Sequence, residues 1–149
     1  MSEELKEIRG GGFLISKIHQ LSQRVFSKIL RKYELDLFNP SQGRVIFLLM
    51  QKDNIPIHEL VEKTQLTKST LSSHLDNLEK IDFVKKIPSD EDKRETFIIL
   101  TEKALKLKQD YINVSRIMTN LFYDGFSEEE INQFEDYLQR CLQNLIKNK

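Results

Sequence analysis

"IHELVEKTQLTKSTLSSHLDNLEKIDFVKK", residues 57–86, runs from one short amphipathic segment through a turn into a second, and then turns β-branched and aromatic. At ~100° per residue, the stretch 68–81 gathers Leu71, Leu75 and Leu78 on one side and Ser69, Thr70, Ser73, Asp76 and Asn77 on the other. Solvated helix faces usually carry Glu and Lys, whereas Ser and Thr are mediocre helix formers. Carboxylates are also missing from the first half of this stretch. From Thr64 to Leu75 no acidic residue occurs, although Asp and Glu number 23 among the 149 residues.

The spacing predicts helices over 57–64 and 68–81, with Thr67 as N-cap of the second and Leu66 tucked between them. "FVKKI" (83–87) and "TFIIL" (96–100) read as strands. The intervening "PSDEDKRE" has turn chemistry but is too long for a two-residue turn, so the pair forms a hairpin with an extended, charged tip. Two short helices and a hairpin in that order are a helix-turn-helix with a wing.

Outward from this centre, Phe13 to Tyr33 has helical periodicity, with the glycines at 10–12 where the helix begins or bends. Asn39 and Pro40 read as N-cap and first position of a further helix, whose apolar run from Val45 to Met50 is expected to be deeply buried. Thr101 is expected to cap a long helix, and Ser127 with Glu130 to form the capping box of the last. The expected fold is mainly α with a small β-hairpin: a winged helix-turn-helix at 37–100, between an N-terminal dimerisation helix at 1–36 and C-terminal dimerisation helices at 101–149, one compact domain overall.

Composition narrows the function classes. Charged residues make up 31% and hydrophobic ones 39%, which excludes a disordered chain, and no run of about 18 apolar residues exists to span a bilayer. The opening "MSEELKEIRGGG" is acidic and lacks an apolar core, so no secretory signal is expected and the expected address is the cytoplasm. With 23 basic and 23 acidic residues, bulk attraction does not coat nucleic acid with this protein, although a local polar and basic surface still can bind it.

The helix-turn-helix supplies such a surface. A major groove about 12 Å wide admits one helix, whose inserted face must form hydrogen bonds yet carry few carboxylates, because phosphates line both rims. Thr67, Lys68, Ser69, Thr70, Ser72, Ser73 and Asn77 fit that requirement, and the helix N-terminus favours a phosphate. At the wing tip (88–95), Lys93 and Arg94 project from a loop rich in acids; Arg94 suits a narrow minor groove, with Asp92 holding its guanidinium. Taken singly, the hydroxyls are ordinary caps and the Lys-Arg pair an ordinary self-neutralising loop. Together, in front of a wing, they point to double-stranded DNA.

"NPSQGRVIFLL" followed by "ELVEKTQLTKSTLSSHLDNLEKIDFVKKIPSDEDKRETFIILTEKA" resembles the MarR family of bacterial transcriptional regulators, most specifically in Asp92 and Arg94 leading into Thr101. The resemblance covers most of the chain. It implies a winged-helix homodimer on a pseudo-palindromic operator, helix 68–81 in the major groove, Arg94 in the minor groove, and repression relieved by a ligand or by oxidation. An effector of that kind would be a small aromatic or phenolic molecule. Two departures stand out: Ser73 occupies a position where many members carry arginine, and Asp82 replaces the glycine that commonly ends the recognition helix. The reactive first-helix cysteine of the peroxide-sensing subgroup is absent here.

Other chemistries find little support. Cys141 excludes an intramolecular disulfide or a cysteine-based cluster and reads as helix packing, with a redox-responsive role beside Arg140 as the alternative. His19, His58 and His74 have no partners at metal-ligand spacing, so no metal and no cofactor is expected; His74 flanks the leucine stripe and reads as partly buried. No nucleophile elbow or phosphate loop is present, so no catalytic residues are assigned and the chain is not expected to be an enzyme. The other class left open is a winged-helix protein-interaction module without DNA affinity. Phe13, Ile18, Phe122, Phe126, Phe134, Tyr137, Leu138, Leu142 and Ile146 exceed what one small module needs to cover and are expected at a dimer interface. His19, Arg44 and Phe47 are the guessed lining of a ligand pocket where the dimer helices meet the winged module.

Overall fold

A computed structural model describes residues 2–92 and 94–149. In chain order the elements are α1 (Glu3–Lys6), α2 (Gly11–Lys32), α3 (Pro40–Gln51), β1 (Ile55–Pro56), α4 (Ile57–Thr64), α5 (Lys68–Lys80), β2 (Val84–Pro88), β3 (Thr96–Leu100), α6 (Glu102–Phe122) and α7 (Glu128–Lys147). The chain divides into two compact units, residues 1–114 and 115–149.

Local chemistry sets the helix ends. The Asn39 side chain accepts from Gln42 N at 2.8 Å while Gln42 Oε1 accepts from Asn39 N at 3.1 Å, a reciprocal box that starts α3 with Pro40 at its first position. Thr67 Oγ1 accepts from Thr70 N at 3.2 Å and starts α5 as expected. The predicted end of α5 moves back from Ile81 to Lys80 because the chain closes a two-bond cap there. Phe83 N donates to Leu78 O at 2.9 Å and Asp82 N to Glu79 O at 3.0 Å, with Asp82 left-handed at φ 62°. Phe83 thereby belongs to the cap, and β2 begins one residue later than expected.

Three further differences from the sequence reading have plain causes. The predicted two-stranded hairpin is a three-stranded sheet in the order β1-β3-β2, in which Ile55 pairs with Ile98 and Pro56 with Phe97. A two-residue strand has no periodicity of its own and exists only through its distant partner. The short helix α1, which the sequence reading does not include, precedes the glycines, and α2 opens at Gly11, within the 10–12 stretch where its start or bend is expected. Of the run from Val45 to Met50, Val45, Ile46 and Leu49 are buried, but Phe47 is 51% exposed. Six consecutive residues cover more than the circumference of a helix, so one of them must face outward.

The core of the first unit joins all three strands to the helices. Val45, Leu49, Ile55, Leu60, Leu71, Leu75, Leu78, Phe83 and Ile98 are fully buried. Each such aliphatic side chain contributes about 2 kcal/mol through removal from water. Phe38 stacks on Tyr111 at 5.2 Å and meets Phe83 edge-on at 5.4 Å. The Tyr111 hydroxyl donates to Leu35 O at 2.9 Å, and burial raises its phenol far above the ordinary range. Asp53 Oδ1 accepts from Leu100 N at 2.9 Å, which ties the turn before β1 to β3.

In the second unit, Ser127 and Glu130 form the predicted capping box at the start of α7. Phe122, Tyr123, Phe126 and Phe134 cluster with ring centroids 5.1–6.3 Å apart. Tyr123 donates to Glu135 at 2.8 Å, and burial together with this bond pushes its phenol up to about 12. Among the described residues no helix is long and apolar enough to cross a membrane.

Candidate nucleic-acid interface

The turn between α4 and α5 is built by three residues. Thr64 Oγ1 donates to Leu60 O at 2.6 Å, Gln65 takes a left-handed φ of 56°, and Leu66 packs partly buried against the core. Leu60 anchors α4 and Leu71, Leu75 and Leu78 anchor α5, all at 0% exposure, so the rotation of α5 is set from below. Its other side is what the sequence predicts. Thr67, Lys68, Ser69, Thr70, Ser73 and Asn77 are exposed, Ser72 is half-buried, and His74 is half-buried beside the leucines.

Not every hydroxyl on that side is free to turn. Thr67 Oγ1 caps the helix, donates to Thr70 Oγ1 at 2.9 Å and lies 3.3 Å from Ser69 Oγ. Lys68 and Ser73 have no protein partner among the described residues. The hydroxyl at 73 is short, which shifts reach toward Lys68 and the wing.

The wing loop is organised by its own acids. Ser89 Oγ accepts from Glu91 N and Asp92 N, both at 3.2 Å, and Glu95 N donates to Asp92 O at 3.0 Å. Asp92 Oδ1 accepts from both Arg94 N at 3.0 Å and Arg94 Nε at 3.4 Å, the holding contact expected from the sequence. The Arg94 side chain is 93% exposed, and its two terminal nitrogens have no protein partner among the described residues. Lys93, the other predicted wing contact, lies outside the described residues. Glu95 meets His58 Nδ1 at 3.2 Å, which links the base of the wing to the first turn of α4.

Several ion pairs escaped the sequence reading. The Lys86 ammonium, from β2, donates to Asp76 Oδ1 and lies 3.9 Å from Glu79 Oε1, so one lysine of the wing meets two carboxylates of α5. That hydrogen bond holds the Asp76 carboxyl below its ordinary range. Glu59 is held low in the same way by Lys52 and Lys63. In the sequence Lys85 and Lys86 look alike; only the register, Lys86 opposite buried Ile98, turns the second toward the helix.

The remaining candidates lie elsewhere. Arg44 Nη2 is 3.4 Å from His19 Nε2, joining α2 to α3, and exposed Phe47 follows Arg44 by one helical turn. A surface depression of about 480 Å3 is lined instead by Asp82, Lys85, Thr101, Glu102, Lys103, Lys106 and Leu107. Of the expected dimer residues, Phe13, Ile18, Phe122, Phe126, Tyr137, Leu138 and Leu142 are exposed, while Phe134 and Ile146 are half-buried. Cys141 is exposed and unpaired with another cysteine.

A short helix, a left-handed turn, a second helix seated on leucines and a three-stranded wing define a winged helix-turn-helix protein. Residues 38–96 match the MarR family. An uncharacterized HTH-type transcriptional regulator of Bacillus subtilis, YfiV, is 30% identical over 117 residues, covering 76% of this chain and 72% of the relative. The HTH-type transcriptional regulator MgrA of Staphylococcus aureus is 24% identical over 130 residues, covering 87% and 85%. Among solved structures, a MarR family regulator from Listeria monocytogenes complexed with 26mer DNA superposes with a TM-score of 0.85 at 22% identity, covering 95% of this chain and 92% of that one. The chain belongs to the MarR family of transcriptional regulators.

Proposed function

We propose that the protein is a homodimeric repressor that reads a pseudo-palindromic operator. Helix α5 enters the major groove of each half-site, the wing places Arg94 in the adjacent minor groove, and a small aromatic or phenolic effector relieves repression. The observation that carries this reading is the face of α5. Its N-terminal half is exposed, rich in hydroxyls and free of carboxylates beside a wing whose arginine points outward, in a chain otherwise balanced in charge. The Listeria relative, solved with DNA, supports the same partner for this fold.

The exposed apolar side chains of α2 and α7 support assembly with a second copy, since a soluble monomer rarely leaves so many large hydrophobics uncovered. In such a dimer the two α5 helices address half-sites about one helical turn, ~34 Å, apart. His19, Arg44 and Phe47 supply an imidazole, a cation and an aromatic ring to an anionic aromatic effector. Effector binding then acts by favouring a dimer whose half-site spacing no longer matches the operator.

The test is retardation of duplexes drawn from a random pool and from DNA flanking the gene. The expected result is a selected pseudo-palindrome whose affinity falls steeply with added salt, through release of counterions from phosphates. Failure to retard any duplex even at low salt would leave the protein-interaction alternative in its place.

A further inference from the structure

Helix α5 carries a charge that its groove-reading role does not call for. Its outermost ridge, opposite Leu71 and Leu78, runs through Ser69, Ser73, Asp76 and Lys80, all exposed. Asp76 therefore projects on the same side as the hydroxyls, and Glu79 flanks it. A carboxylate carried toward a duplex is repelled by the phosphates on both rims of the groove.

The wing answers this charge. Lys86 sits opposite fully buried Ile98 in the ladder, so its stem rises from the packed side of β2 and is fixed in direction by the sheet. Its ammonium donates to Asp76 Oδ1 and lies 3.9 Å from Glu79 Oε1. The Lys86 side chain is 32% exposed and that of Asp76 57%. Pairs this open to water stabilise a fold little. The contact gains its significance from what it joins, the helix and the wing, which address adjacent grooves under the proposed function.

We propose that Lys86 is a positioning residue for DNA reading: acting through α5, it masks the Asp76 and Glu79 carboxylates from the phosphates of the duplex. The proposal rests on the DNA-reading function above. Lys86 acts through α5 and is not itself a phosphate ligand.

The experiment uses the full-length protein and the duplex that the wild type selects. Lys86→Met keeps the stem and removes the ammonium; it is expected to weaken binding about tenfold, the scale of a few ångströms of uncompensated charge at a protein surface. Lys86→Arg, which keeps the cation, is expected to bind within about threefold of wild type. Asp76→Asn placed in the Lys86→Met background is expected to recover most of the lost affinity. All variants are expected to keep the wild-type melting temperature to within a few degrees. Wild-type affinity in Lys86→Met would overturn the proposal. So would a double variant as weak as Lys86→Met with a log–log salt slope reduced by about one, the signature of a lost phosphate contact. A wild type that retains no duplex removes the DNA-reading function itself, whereas failure of the Lys86 series against a binding wild type removes this inference alone.

Discussion

Arg94 shows how much a single residue can be asked to do. Among the described residues its hydrogen bonds run from Nε and the backbone N–H to Asp92, and 93% of the side chain faces water. Removing it therefore costs the fold almost nothing and removes whatever the side chain reaches. Arg94→Ala is expected to weaken operator binding by about 10- to 100-fold, or 1–3 kcal/mol, with an unchanged melting temperature. A gel-shift titration alongside a thermal melt checks both halves, and wild-type affinity would refute the wing assignment. The pairing of Asp92 with Arg94 was legible in the sequence because they stand only two positions apart. The Lys86–Asp76 pairing was not, because it depends on strand register.

Elements were legible in proportion to how local their signals are. Asn39 with Gln42, Thr67 with Thr70, and Ser127 with Glu130 all act within one helical turn, and each cap stands where the sequence places it. Strand β1 was illegible because Ile55 finds its partner Ile98 only after the winged module has closed. The end of α5 is the intermediate case. Asp82 is a residue type that tolerates the left-handed conformation, and it adopts φ 62° there. Asp82→Gly removes the Cβ penalty, partly offset by the freedom glycine gains when unfolded, and is expected to raise stability by about 0.5 kcal/mol. Asp82→Val, β-branched at the same φ, is expected to lower it by at least about 1 kcal/mol. Urea unfolding of the pair measures this, and equal midpoints would mean that the cap tolerates any residue.

At the scale of the molecule, assembly and charge decide behaviour. Leu138 and Leu142 lie one turn apart on α7 and are 37% and 42% exposed. Replacing both with Glu is expected to convert a dimer into a folded monomer by sedimentation and to cost most of the operator affinity, because the two half-sites no longer bind as one unit. A doubly substituted protein that still sediments as a dimer would place the interface elsewhere. The residues expected at a dimer face stand out in the sequence as surplus apolar positions, and most of them are exposed, but nothing in a linear pattern says which of them a second copy would cover. One consequence of the wing loop reaches further still. Its acids lie close to the arginine proposed to address DNA, and the whole chain carries 23 positive and 23 negative residues. For a DNA reader this arrangement gives little hold on arbitrary sequence, since that hold is almost wholly electrostatic. Such a protein is not soaked up by the vast excess of competing genomic sites. A modest absolute affinity for its operator then suffices for occupancy, because selectivity rather than tightness governs where the molecules reside.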